Sequence, residues 1–115
     1  MTTSQIRDLA TNRVSWIETL GASANEMLQV ADASRTARAA SYADKVEEAV
    51  ERRGVLSATV GGYRAEVDLL EKTFRCSCPD HSQRGVVCKH LVAMTLAWRE
   101  QRRAEWDALN QLLSL

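Results

Sequence analysis

"CSCPDHSQRGVVCKH", residues 76–90, contains all three cysteines and both histidines of a 115-residue chain. The cysteines and one histidine form two pairs, Cys76-Ser77-Cys78 and Cys88-Lys89-His90, with nine residues between them. Single cysteines are ordinarily small, buried, apolar residues. That reading does not explain two pairs of soft ligands separated by a turn. Three thiolates and an imidazole complete the tetrahedral shell of a zinc ion. On an extended strand residues 76 and 78 point to one face, so both sulfurs reach a single ion. Cys88 and His90 stand at the start of a long helical pattern, Pro79 fixes the chain leaving the first pair, and Gly85 relieves the return bend. The expectation is one structural Zn2+ on Cys76, Cys78, Cys88 and His90, its thiolates favoured by the helix N-terminus and by Arg75, Arg84 and Lys89.

Three other readings of the same residues compete. A catalytic zinc keeps a position open for water, and four donors leave none. Asp80 is the one acidic residue between the pairs and reads as a cap for the turn after Pro79. A thiol–disulfide switch would need a tight Cys-x-Cys ring outside any thioredoxin-like setting. His81 can substitute for His90 on chemistry alone, but its place in the loop reads as an exposed histidine.

Outward from the pairs, "GVLSATVGGYRAEVDLL" (residues 54–70) holds two runs rich in β-branched residues joined at Gly61-Gly62. A Gly-Gly pair supplies the positive φ angles of a tight hairpin, so residues 55–60 and 63–70 should pair antiparallel. "TFRCSC" reads as a further short strand. Residues 46–53 are ambiguous: their acidic content favours helix and their place before a hairpin favours strand. Downstream, Leu91, Met94, Thr95, Trp98, Arg102, Trp106, Leu109 and Leu113 recur at helical spacing, predicting a helix over about 87–113. Upstream, Ile6, Leu9, Ala10, Val14, Ile17 and Leu20 predict a helix over 3–20, capped by Thr2 or Thr3 and ended by Gly21. A shorter helix over "SANEMLQVADAS" and helical structure over "SRTARAASYADK" follow. The fold class is therefore α+β: N-terminal helices, a small antiparallel sheet and a long C-terminal helix. Residues 1–53 form a helical region packing on a zinc-finger module of 54–115, in one compact domain.

The whole chain is neutral, with 15 basic and 15 acidic residues, so no global field points to nucleic acid or membrane. Residues 72–103 nevertheless hold seven basic residues against two acidic, and residues 1–71 hold eight against eleven. No segment has signal-peptide or membrane-spanning character; together with the clustered cysteines this predicts a soluble, cytoplasmic chain with a metal rather than disulfides.

Cys76-x-Cys78-x9-Cys88-x-His90, with Pro79-Asp80 after the first pair and Lys89 inside the second, resembles the SWIM-type zinc finger. "SATVGGYRAEVDLLEKTFRCSCPD" is similar to the strands of that family and "CKHLVAMTLAW" to the helix after its last ligand, so the likeness spans roughly residues 54–98. "RTARAASYADKV" extends it more weakly and moves residues 46–52 toward strand. The resemblance implies a ββα module holding one zinc and binding DNA or protein, without catalysis. No phosphate loop accompanies it, since Gly61-Gly62 lacks a following Lys-Ser/Thr.

Two functions follow. In the first the chain is a DNA-binding or DNA-processing adaptor contacting phosphates through Arg75, Arg84, Lys89, Arg99 and Arg103, with Arg102 nearby. Against it, those arginines can form a solvated helix face partnered by Glu100 and Glu105. In the second the chain is a protein-interaction module, homodimeric through the C-terminal helix, with Trp98 and Trp106 as anchors. Packing of that same helix face against the N-terminal helix is the intramolecular competitor, and the one we favour.

Overall fold

Thr2 starts the first helix. Its hydroxyl accepts from the Gln5 amide at 3.1 Å and the Gln5 side chain accepts from the Thr2 amide at 2.7 Å, a reciprocal capping box. In the computed structural model, which describes all 115 residues, this helix, α1, runs Thr3–Val30. It does not stop at Gly21, as the sequence reading expected. The buried residues Ala10, Val14, Ile17, Leu20, Ala24 and Met27 keep three- and four-residue steps straight through the glycine. A mid-helix glycine costs about 1 kcal/mol, less than burying Leu20 and Met27 returns at roughly 1.5–3 kcal/mol each. The segment expected as a separate second helix is the second half of α1. The expected stripe also loses its first members, because Ile6 and Leu9 are exposed.

Asp32 caps the next helix, α2 (Ala33–Ala39), which tightens into a 3-10 helix over Ala40–Lys45. Four strands follow, β1 (Val46–Arg52), β2 (Val55–Val60), β3 (Tyr63–Asp68) and β4 (Thr73–Cys76), in one antiparallel sheet of order β1-β2-β3-β4. The ambiguous segment is thus a strand, paired to β2 with an irregularity between Glu47 and Val50. The β1–β2 and β2–β3 hairpins each turn on two positive-φ residues, Arg53-Gly54 and Gly61-Gly62, which matches the right-handed twist of the flanking strands. A six-residue helix, α3 (Pro79–Arg84), and the long α4 (Lys89–Leu113) complete the chain.

The result is α+β. One face of the sheet carries Leu56, Ala58, Val60, Ala65, Val67 and Cys76 inward, and α4 lies across all four strands on that face. Ala58 and Ala65 are cross-strand partners with no exposed surface, so the helix can approach closely there. From α4 the core receives Leu91, Val92, Met94 and Trp98. Beyond the sheet α1 and α4 continue as an antiparallel pair, tied by Arg99 to Asn25 (3.0 Å), Arg13 to Glu105 (2.7 Å) and Arg7 to the Leu113 carbonyl (2.9 Å). This packing takes up Trp98 but leaves Trp106 36% exposed. The pair lengthens the molecule to 52 × 25 × 24 Å. No helix is long and apolar enough to cross a membrane.

Candidate metal centre

The ends of three elements converge where β4 pairs Cys76 with Ala65. Cys76 is the last residue of β4, Cys78 is the N-cap of α3 and Cys88 is the N-cap of α4. Within the first turn of α4, His90 turns its Nδ1 toward the sulfurs, 3.8 Å from Cys76 Sγ and 3.8 Å from Cys88 Sγ. All four donor atoms lie within 4.8 Å of one another, and all four residues are buried. Regular tetrahedral zinc with Zn–S near 2.3 Å places its donors about 3.8 Å apart. The cluster therefore fits one tetrahedral ion after a closure of under about 1 Å. No disulfide joins the cysteines.

The local sequence explains why the second sulfur is where it is. Cys78 Sγ accepts the His81 amide at 3.4 Å, Pro79 occupies the first helical position, and Gly85 closes the helix at φ +65 with its amide on the His81 carbonyl. Proline at the start and a left-handed glycine at the end delimit a helix. The expected loop is thus a helical turn whose N-terminus faces a sulfur. His81 is correspondingly not an exposed loop residue. It is half-buried, its Nδ1 is 2.8 Å from the Val86 carbonyl and its ring packs on Phe74. That contact braces the segment between the ligand pairs.

The thiols of the cluster interact strongly with one another. Cys88 is pushed down to about 4, chiefly because the Cys76 thiol donates a hydrogen bond to its thiolate. Cys76 is raised because it keeps that proton for Cys88, with burial adding to the shift, and burial raises Cys78. Crowding of the three thiols thus opposes ionisation of Cys76 and Cys78 while favouring that of Cys88. A divalent cation held by these residues would supply the field to ionise all three.

Around the donors lies a packed outer shell. Tyr42 meets the His90 ring edge-on and Tyr63 meets it at a tilt, each with ring centroids 5.0 Å apart. Gly61 sits against this stack at φ +56, where a Cβ would lie 2.8 Å from Tyr42 Cε1 and 3.9 Å from His90 Cδ2. Arg35 of α2 reaches Asp80 of α3 through two bonds, Nε–Oδ2 at 2.6 Å and Nη2–Oδ1 at 2.7 Å, and also pairs with Asp32. Asp80 further accepts Arg84 at 3.0 Å. These guanidinium groups, Arg35 first, hold the Asp80 carboxyl well below the usual carboxylate range. Asp80 is therefore a clamp on α2 rather than a turn cap. Arg35 escaped the sequence reading because nothing local connects it to a residue 45 positions away.

The basic residues expected on one face do not share one. Arg75 lies on the sheet face opposite α4, paired to Glu66 at 2.9 Å. Arg99 is bonded to Asn25 and Arg102 to Glu105, and Arg103 lines the groove between α1 and α4. Arg84 and Lys89 alone of the set stand at the metal cluster, lining a cleft of about 270 Å³ together with Arg38. Lys89 Nζ lies 4.9 Å from the Tyr42 ring centre, and Lys45 Nζ lies 4.8 Å from the same ring. Arg38, Tyr42 and Lys45 reach the site from α2 and the 3-10 helix; the sequence places them in the stretch "RTARAASYADKV" that extends the family resemblance, and gives none of them a site role. Comparison with family models, with curated proteins and with solved structures finds no match to this chain.

Proposed function

We propose that the chain holds one structural zinc ion on Cys76, Cys78, Cys88 and His90 and works as a non-enzymatic binding module, as its SWIM-type resemblance implies. The observation that carries the metal reading is the closed set of four buried soft donors within 4.8 Å. Three sulfurs select zinc over the harder cations, and the saturated shell favours a structural role. Asp80, the acidic residue nearest the donors in sequence, is committed to Arg35 and Arg84, which leaves no free general base there. The purified protein should contain one zinc per chain. Its cobalt form should show the intense charge-transfer bands of three thiolates, and elemental analysis without zinc would end the proposal.

The partner we propose is nucleic acid, met at the metal end and not along α4. Lys45 and Lys89 stand over the Tyr42 ring, Arg38, Arg84 and Lys89 line one cleft with His90, and of the four cations only Arg84 has a carboxylate within salt-bridge distance. Four cations give weak, sequence-tolerant binding that falls with salt. Lys45→Ala with Lys89→Ala should reduce affinity for single- and double-stranded DNA at low salt without altering zinc content. Arg75→Ala and Arg103→Ala should not. A second reading has its own observation: Ile6, Leu9, Trp106 and Leu112 are exposed on α1 and α4, a surface for a protein partner or a second copy. Absence of DNA binding at low ionic strength, with self-association lost on Trp106→Ser, would replace the first reading by the second.

A further inference from the structure

Three buried side-chain polar atoms in this chain lack a hydrogen-bond partner within the protein: Glu51 Oε1, Trp98 Nε1 and Arg102 Nε. Buried polar atoms are nearly always paired, so each such atom calls for an explanation. All three belong to the walls of one cleft of about 430 Å³ between β1, α4 and α1. This cleft is separate from the metal cluster. Trp98 lies eight residues, or about 12 Å, along α4 from His90.

The sheet register places Glu51 there. It pairs with Leu56, which is 2% exposed and faces α4, so the carboxylate of an edge strand points toward the helices. An inward charge on an edge strand can serve to block strand addition. That purpose explains Glu51 alone and gives no reason for two further unpaired donors on residues that line the same cleft. Trp98 is only 7% exposed, and a phenylalanine would supply a buried aromatic ring there without an N–H to satisfy.

The chemistry of the walls defines the ligand. Trp98 Nε1 and Arg102 Nε are donors only, and Glu51 Oε1 is an acceptor. Arg13 and Arg102 both pair with Glu105 at the rim, so with Glu51 the formal charges cancel and the cleft favours a neutral guest. Val46, Leu56, Met94 and Ala97 supply apolar walls, and the volume lies within the range of small-molecule sites. We propose that this cleft binds a small, flat, neutral molecule carrying a lactam or carboxamide edge. Its carbonyl oxygen accepts from Trp98 and Arg102, and its adjacent N–H donates to Glu51. The three polar atoms are covered by the cleft wall, so entry requires a swing of the Arg102 side chain, which is 25% exposed.

The inference is independent of the nucleic-acid reading and is tested on the zinc-loaded protein with 2-pyridone as probe. The chain has three tryptophans, so three indole N–H resonances report. Trp98→Phe identifies the one that matters, or Trp16→Phe and Trp106→Phe identify it by elimination should that variant not fold. Titration with 2-pyridone should move the Trp98 indole resonance saturably. N-methyl-2-pyridone, which keeps the shape and the carbonyl but not the donor, should bind about tenfold more weakly. Glu51→Leu should erase that difference while leaving the zinc content unchanged. Equal affinity for the two probes would overturn the proposal, since apolar filling alone would then explain binding. So would an unmoved Trp98 resonance up to the solubility limit of 2-pyridone, which would leave ordered water as the partner of these atoms.

Discussion

The two ends of the molecule are ordered by different means. At one end β4, α3 and the first turn of α4 meet at four side chains, and the 76–90 segment contributes little apolar surface beyond Val87 and the ligands themselves. At the other end α1 and α4 run side by side on a stripe of Ala10, Val14 and Ile17, with one ion pair and two further hydrogen bonds along the edge. With the proposed zinc bound, the first arrangement would concentrate its stability in a few bonds of high individual strength. The second spreads it over many weak contacts, each of which can be lost singly. Damage to a ligand should therefore act as a switch, and damage to the helix pair as a gradient.

Cys88→Ser tests the switch and should have the largest effect. Structural zinc sites contribute an apparent free energy on the order of 10 kcal/mol, so zinc stoichiometry should fall from one toward none. Hydrogen exchange across residues 76–90 should lose its protection, while the circular dichroism of α1 and most of α4 persists. Chelation of the wild-type protein should give the same pattern. Loss of all helical signal would mean that the two ends are one cooperative unit and would remove the distinction.

Ile17→Ala probes the gradient. A buried isoleucine cut to alanine costs about 2–4 kcal/mol, read as a lower denaturation midpoint with zinc content unchanged. Gly61→Ala falls between the ends in kind. It forces a left-handed φ on a residue with a side chain and presses on Tyr42 against His90; about 1–2 kcal/mol of destabilisation is expected, together with faster zinc release.

Asp80→Asn asks how far the clamp from α2 supports the metal. Outer-shell partners typically change metal affinity about tenfold or more, so zinc transfer to a chelator should accelerate by roughly that factor. The pH dependence has a defined sign. Because Arg35 depresses the folded carboxyl, the clamp is fully present above the unfolded value near pH 4 and is lost as pH falls below it. Glu105→Gln, at the helix pair, should have the smallest effect. Its bond to Arg13 is partly exposed, and such pairs are worth about 0.5 kcal/mol.

The ligand set, the Gly61-Gly62 hairpin and the α4 pattern were legible because each rests on local spacing: a pair two apart, a two-residue turn, a period near 3.6. The run of α1 through Gly21 was not, because a local helix-stop signal was outweighed by burial of Leu20, Ala24 and Met27. The strand identity of Val46–Arg52 was undecidable from its own residues. Its exposed, acidic surface reads as helix, and pairing with β2 settles it. Helix α3 carried its cap, proline and terminal glycine in plain order, yet six residues are too few for periodicity to register.

Sequence by itself thus determined which residues can hold a metal, since donor chemistry and tight spacing travel with the chain wherever it folds. Tertiary structure decided everything that joins distant residues. It set Arg35 on Asp80, Tyr42 and Tyr63 on His90, and Glu51 beside Trp98 and Arg102. It also dispersed the basic residues that a linear count had grouped between positions 72 and 103. A strand turns alternate residues to opposite faces and a helix turns each residue by 100°. Charge that is continuous along the chain is therefore not continuous in space.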